Sequence, residues 1–194
     1  MQIGVLSPTQ RKGIITLLHK GKNLRRDDLS NWRPISLTNS DYKILAKALA
    51  LRLKKVIENI ISTDQSGFIK GRNISNLLRE LADIIDYEKQ EKSNTIILAL
   101  DFRKAFDTIS IRHMQNSFAY FGFGPEFIKW MKVILNQRTA LIKNGGYLSR
   151  EFNLERGIRQ GCPISPLIFV LAVELLALSF KQDSKLHEHF SKIK

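Results

Sequence analysis

Two segments of this chain carry residues suited to chemistry. In the first, Thr95–Phe102, an apolar run ends on Asp101. A carboxylate at the C-terminal end of a buried strand is held rigidly with its head in a cleft. Phosphoryl transfer assisted by divalent cations needs such fixed oxygen ligands. Taken alone, Asp101 reads as closing a strand–turn; the residues after it change the balance. Asp107 reads as a cap for the following helix rather than a metal ligand, because aspartate favours helix starts. The second segment, Gly157-Ile158-Arg159-Gln160-Gly161-Cys162-Pro163-Ile164-Ser165-Pro166, is a Gly/Pro-punctuated polar turn that opens a hydrophobic helix. Gly161 lets a backbone approach a ligand closely. Gln160 offers donor and acceptor on one amide, and Arg159 adds a cation. A plain loop–helix junction would explain the prolines, but a run of this kind after an apolar-run aspartate is hard to obtain by accident. Together the two segments read as part of a nucleic-acid polymerase site.

Cations are abundant around these segments. The 194 residues carry 31 Lys/Arg against 18 Asp/Glu, a formal net charge of +13, and residues 1–60 hold 12 Lys/Arg against 4 Asp/Glu. A polyanionic partner is the simplest account, nucleic acid being the commonest; a solvated or membrane-facing basic surface is the bland alternative. Lys20, Lys22, Arg25, Arg26 and Arg33 cluster early, where loop-borne cations neutralise a triphosphate or track a phosphate backbone. Arg33 lies inside the apolar Trp32–Leu37 segment, where an arginine usually has a defined partner. Cys162 is the single cysteine, so no disulfide closes within the chain, and no Cys/His cluster spells a zinc site. A reducing compartment is expected. No secretory signal precedes residue 30, and the apolar stretch Leu167–Leu178, interrupted by Glu174, is short for a bilayer span.

The elements that must position these residues follow from periodicity. Ile14–Leu18 and Trp32–Leu37 read as short strands, with Pro34 arguing for an edge. The basic loop Lys20–Arg26 would join them into a hairpin that presents cations. Ser40 is expected to cap a helix over Asp41–Ile61, with Leu45, Leu49, Leu53, Val56 and Ile60 on its apolar face. Lys43, Lys47 and Lys54 form a positive stripe on that helix, which for the helix alone an ordinary solvated face explains better. The glycine-punctuated loop Gln65–Arg72 leads to a helix over Ile74–Lys92, with Leu77, Leu78, Leu81, Ile84 and Ile85 on one side. A strand Ile96–Leu100 then ends at Asp101. Helices over Ser110–Phe121 and Pro125–Asn136 follow, with Pro125 in the first turn. Thr139–Lys143 and Tyr147–Leu148 pair around an Asn144-Gly145-Gly146 turn. Phe152–Leu154 adds a short strand, and Pro163–Phe180 a last helix. The composition shift near residue 93 separates a basic part, 1–93, from an α/β part, 94–180, and a loosely held tail, 181–194.

At this level of detail the chain resembles the reverse transcriptases of non-LTR (LINE-type) retrotransposons, collinearly from about Gly13 to Leu178. Ile15–Lys22 resembles the first fingers motif, with His19 where proline is usual. Asn31–Asn39 with Lys43–Ala48 resembles the second, and Asp64–Arg72 the next. Leu100–Asp107 resembles the first palm motif, and Arg156–Leu167 the one after it. Group II intron maturases share the layout, but Gln160-Gly161-Cys162-Pro163 and Asn31–Leu37 resemble the retrotransposon branch more. The resemblance implies an α+β fold: the fingers and partial palm of the right-hand polymerase, truncated before the third palm motif and the thumb. It implies Asp101 as a catalytic metal ligand, joined by the carbonyl of Phe102. Phe106 would lie beneath the sugar of an incoming dNTP and exclude a 2′-hydroxyl. Gln160 and Gly161 would contact that nucleotide, and Lys20 and Arg33 its triphosphate. Lys22, Arg25, Arg26, Lys43, Lys47, Arg72 and Arg159 are the cations assigned to nucleic acid.

The implied partners are an RNA template, a DNA primer and dNTP, with Mg²⁺ (or Mn²⁺) expected only in the intact enzyme. No membrane role is expected. The setting is intracellular, nuclear or cytoplasmic, and the oligomeric state is open. One departure is large. The family's third palm motif carries an Asp pair, whereas the Asp-Asp pair here is Asp27-Asp28, in the basic loop. Two metals need more carboxylate than Asp101 supplies. Three readings of function therefore stand: part of an RNA-directed DNA polymerase inactive by itself, a non-catalytic RNA- or DNA-binding remnant, or a sequence with no selected function whose fold is damaged by the lost palm strands. With the third-motif strands missing, Ile96–Leu100 is expected to be an uncovered sheet edge.

Overall fold

The computed structural model describes residues 4–91 and 96–183. A short helix α1 (Pro8–Arg11) opens it, with Ser7 and Gln10 forming a reciprocal capping box. Strand β1 (Lys12–His19) and strand β2 (Trp32–Thr38) pair antiparallel from Gly13↔Thr38 to His19↔Trp32. Branched residues drive β1. Pro34, which lacks an N–H, is tolerated because β2 is the sheet edge. The Lys20–Asn31 connection is the expected basic hairpin loop. Its geometry is fixed locally: Asp28 accepts from the Ser30 backbone at 2.8 Å, Asn31 Nδ2 donates to the Arg25 carbonyl at 2.9 Å, and Trp32 Nε1 to the Arg26 carbonyl at 3.0 Å.

Helix α2 (Ser40–Ile57) follows, with Asn39, not Ser40, at its N-cap and without a side-chain cap bond. Its buried face is Tyr42, Ala46, Leu49, Ala50, Leu53 and Ile57, while Val56 is exposed. The buried stripe is thus rotated from the leucine row expected, because aromatic and small residues meet the neighbouring helix. Helix α3 (Ile74–Glu91) forms as its periodicity demands, yet none of its residues is buried.

Residues 96–100, expected as a strand, lie outside every strand, and Ile96, Leu98 and Leu100 are each about two-thirds exposed or more. This corrects the expectation of a sheet edge. A strand exists through its ladder partners, and no described strand runs beside this segment.

Helix α4 (Ala105–Thr108) is one turn entered through Lys104 in the left-handed region. Helices α5 (Ile111–Tyr120) and α6 (Pro125–Leu135) match their expected spans, with Ser110 and Gly124 at their N-caps and Pro125 in the first turn. Strand β3 (Thr139–Asn144) runs parallel to β1, with Gly13 opposite Ala140. Its hairpin with β4 (Tyr147–Leu148) turns through Gly145 (φ 54°) and Gly146 (φ 86°), and β5 (Phe152–Asn153) pairs with β3 on the same side. The sheet order β2-β1-β3-β4 takes strands from both sides of residue 93, so the compositional shift does not interrupt the sheet.

Helix α7 (Ser165–Gln182) is long and apolar enough to cross a membrane by length and composition. Here it is a core helix: Leu167, Ile168, Val170, Leu171 and Ala172 are buried against α2 and α5. Buried Glu174 accepts from the Ser62 backbone at 3.0 Å and from its hydroxyl, which ties α7 to the turn after α2. Lys181 pairs with Asp64 in the same turn and holds its carboxyl below the usual range.

Candidate nucleotide-binding cleft

The segment 156–161 docks directly on the segment 106–110. Ile158 N–H donates to the Phe106 carbonyl at 2.7 Å and Gly157 N–H to the Ile109 carbonyl at 2.8 Å, while Ser110 and Arg156 form an isolated bridge. Gly157 is at φ 72°, and a Cβ there would lie 2.6 Å from the Phe106 carbonyl oxygen and 2.8 Å from Asp107 Cα. Only glycine permits this approach. On the other side, Ser36 N–H of β2 donates to the Gln160 carbonyl at 3.0 Å, and Gly161 (φ 99°) passes close to the Ser36 carbonyl. Two segments distant in sequence are thus clamped together against the sheet edge.

Between them opens a cleft of about 430 Å³, lined by Phe106, Gln160 and Gly161 together with Phe68, Lys104, Ala105, Cys162, Ser165 and Pro166. Phe106 stacks on Phe169 of α7, with centroids 4.9 Å apart and planes at 15°; Phe102 meets the same ring edge-on at 6.3 Å. Gln160 Nε2 donates to both oxygens of Asp107, at 3.2 and 3.3 Å. Burial pushes the Asp107 carboxyl up, opposed by the Gln160 bond and the charge of Lys104. Asp107 therefore does not cap a helix start, as its type suggested. It sits inside α4 and orients the Gln160 amide.

Three residues expected at a nucleotide, Phe106, Gln160 and Gly161, come together. Lys20 and Arg33 do not line this cleft. Lys20 Nζ donates to the Ser30 carbonyl at 2.7 Å within the hairpin loop. Arg33 is exposed and has no polar partner among the described residues, contrary to expectation; by strand alternation it shares the sheet face of Ile35 and Leu37, opposite Ser36.

The expected nucleic-acid cations divide in the same way. Lys22, Arg25, Arg26, Lys43 and Lys47 are exposed, though Arg25 is held in a two-pronged pair by Asp27, at 3.1 and 2.6 Å. Arg72 and Arg159 are corrections. The Arg72 guanidinium donates to the carbonyls of Glu58, Ile61, Ser62 and Gln65, satisfying orphan groups at the end of α2 and in the turn after it. Arg159 is 4% exposed, lies 5.0 Å from the Tyr42 ring centroid and donates to the Arg11 carbonyl. Backbone carbonyls occupy the Arg72 guanidinium, and burial withdraws that of Arg159 from the surface. Arg138 is buried nearby, and burial together with Arg159 lowers its pKa to about 10.

Asp101 and Phe102 are exposed on the irregular segment before α4, rather than at a buried strand end. Asp107 is turned to Gln160, and among the described residues no group of three His, Cys, Asp or Glu could hold a metal ion. These residues do not make a two-metal site by themselves. Lys104 is a cation at the cleft that pattern reading passed over. A left-handed lysine (φ 52°) heading a single helical turn leaves no sequence signal.

The family described as reverse transcriptase (RNA-dependent DNA polymerase) matches residues 19–190. The uncharacterized 149 kDa protein of transposon TX1 from Xenopus laevis is 35% identical over 88% of this chain. The Pol polyprotein of the type-1 element R2 from Popillia japonica is 30% identical over 86%, and the probable RNA-directed DNA polymerase of the Drosophila melanogaster X-element 30% over 82%. The chain spans 13%, 23% and 18% of those three proteins. In fold it is similar to an apo telomerase from Candida tropicalis truncated from its C-terminal domain, with a TM-score of 0.52 and 16% identity, covering 91% of this chain and 40% of that one. With a glycine-clamped cleft built from both motif segments, these similarities make the chain a member of the reverse transcriptase family, of the non-LTR retrotransposon type.

Proposed function

We propose that this chain is the nucleotide-binding portion of an RNA-directed DNA polymerase that adds dNTP to a DNA primer on an RNA template. The observation that carries the reading is the convergence of Phe106, Gln160 and Gly161 on one cleft, fixed by backbone bonds between their segments. In this reading the Gln160 amide, oriented by Asp107, positions the nucleotide. Phe106, backed by Phe169, sets the floor beneath the sugar, and Lys104 supplies charge for a phosphate. Mg²⁺ or Mn²⁺ would be held by Asp101 together with carboxylates that the described residues do not bring to it. An intracellular setting, nuclear or cytoplasmic, goes with the reading.

The test is primer extension on an RNA template by a longer protein that carries this segment, with Asp101→Ala and Phe106→Val as variants. Extension lost in the first, and a lowered dNTP-to-NTP ratio of kcat/KM in the second, support the reading. Full extension by Asp101→Ala overturns it. A second reading, nucleic-acid binding without catalysis, is favoured for the isolated chain by Asp101, which is exposed and belongs to no metal-holding group among the described residues. It is supported if the chain binds single strands with steep salt dependence yet extends no primer.

A further inference from the structure

We propose that Phe68 is a nucleobase-stacking residue of the cleft, an inference that rests on the cleft being a nucleotide site. Phe68 lies in the loop between α2 and α3 and lines the cleft alongside Phe106 and Gln160. Phe68 is 59% exposed, and its ring makes no contact with another aromatic side chain among the described residues. A single exposed apolar side chain means little by itself. What separates Phe68 from others is its backbone, at φ 61°, a region that a bulky residue avoids. Such strain persists only where the surroundings over-determine it, and it concentrates at ligand sites. Of the three described non-glycine residues with positive φ, two, Phe68 and Lys104, line this cleft.

The surroundings do hold Phe68. Arg72 gathers four carbonyls on the near side of the loop, including that of Gln65. Gln65 Oε1 accepts from Gly67 N–H at 2.9 Å, and Ile69, the next residue, is anchored in the core at 4% exposure. A rigid base therefore presents a phenyl ring to a cleft that also offers a cation and an amide. A base with its phosphates matches that set: the ring takes the base by its face, whatever its identity, because every base has a π-face. The base belongs either to a free nucleotide or to a single strand.

The experiment compares wild type, Phe68→Leu and Phe68→Tyr. The strand probes are a labelled single-stranded RNA oligonucleotide and an abasic oligonucleotide of equal length. The nucleotide probes are dATP and deoxyribose triphosphate without a base. Phe68→Leu should weaken binding of a base-bearing probe about tenfold relative to its abasic partner, and Phe68→Tyr should keep wild-type discrimination. The probe pair that responds identifies strand or nucleotide as the source. Equal effects of Phe68→Leu on base-bearing and abasic probes, with binding intact, overturn the stacking role alone. No binding of any probe by wild type overturns the cleft reading and this proposal with it. Phe68→Trp supplies a check independent of affinity. Its emission above that of wild type should be quenched by the base-bearing probe and not by the abasic one, and unchanged emission at saturation counts against stacking.

Discussion

Gly157→Ala tests whether the backbone clamp between the two motif segments builds the cleft. At φ 72° an alanine pays about 1–2 kcal/mol for the left-handed conformation alone. Its Cβ would also meet the Phe106 carbonyl at 2.6 Å and the Asp107 carbonyl at 2.7 Å, where ordinary contact begins at 3.4 Å. The segments must part by most of an ångström. That breaks the 2.7 Å bond from Ile158 to Phe106 and strains the 2.8 Å bond from Gly157 to Ile109, each worth about 1 kcal/mol net. The total is about 3–4 kcal/mol, a large part of the ~5–15 kcal/mol typical of a domain. Gly122→Ala is the control. Its φ is 71°, nearly the same, but nothing lies within 4 Å of its Cβ, so it should lose only the conformational part. Urea unfolding followed by far-UV circular dichroism measures both, with m-values compared to confirm a common unfolded state. If Gly157→Ala loses no more than Gly122→Ala, the close approach is not a structural constraint and the clamp argument fails.

Arg72→Lys should destabilise almost as much as Arg72→Ala, by about 2 kcal/mol, because a point ammonium cannot span the four carbonyls that the guanidinium gathers; wild-type stability of the lysine variant in the same unfolding assay would refute this. Arg159→Met should change stability by no more than about 1 kcal/mol, since two buried donor nitrogens of Arg159 lack partners among the described residues, and it should leave the salt dependence of nucleic-acid binding untouched, whereas reversing Lys22 and Arg26 should flatten it. Asp107 has a raised pKa, so its neutral form contributes stability that is present below the unfolded-state value and lost as pH rises through the folded-state value. Asp107→Asn should remove that downward step in a plot of stability against pH, and a step that persists would assign it to another group.

The local elements and the motif chemistry were legible in the chain itself. The Ile14–Leu18 and Trp32–Leu37 segments form the cation-bearing hairpin, and Pro34 marks the edge, because branching and a missing N–H act locally. Pro125 and the Asn144-Gly145-Gly146 turn punctuate the second half where local geometry demands. The meeting of Phe106 with Gln160 and Gly161 was implied by motif resemblance, but how closely they meet depends on a Cβ that Gly157 lacks, which is a distance and not a pattern. The fates of the charged residues were decided only in three dimensions. Arg72 and Arg159 carry the same charge in sequence as Arg26, yet one closes the turn after α2 and the other is buried against Tyr42, because guanidinium groups bind carbonyls and aromatic faces as readily as phosphates. Ile96–Leu100 shows the converse limit. Its residues favour a strand, but a strand requires a neighbour to complete its ladder, and no described strand lies beside it.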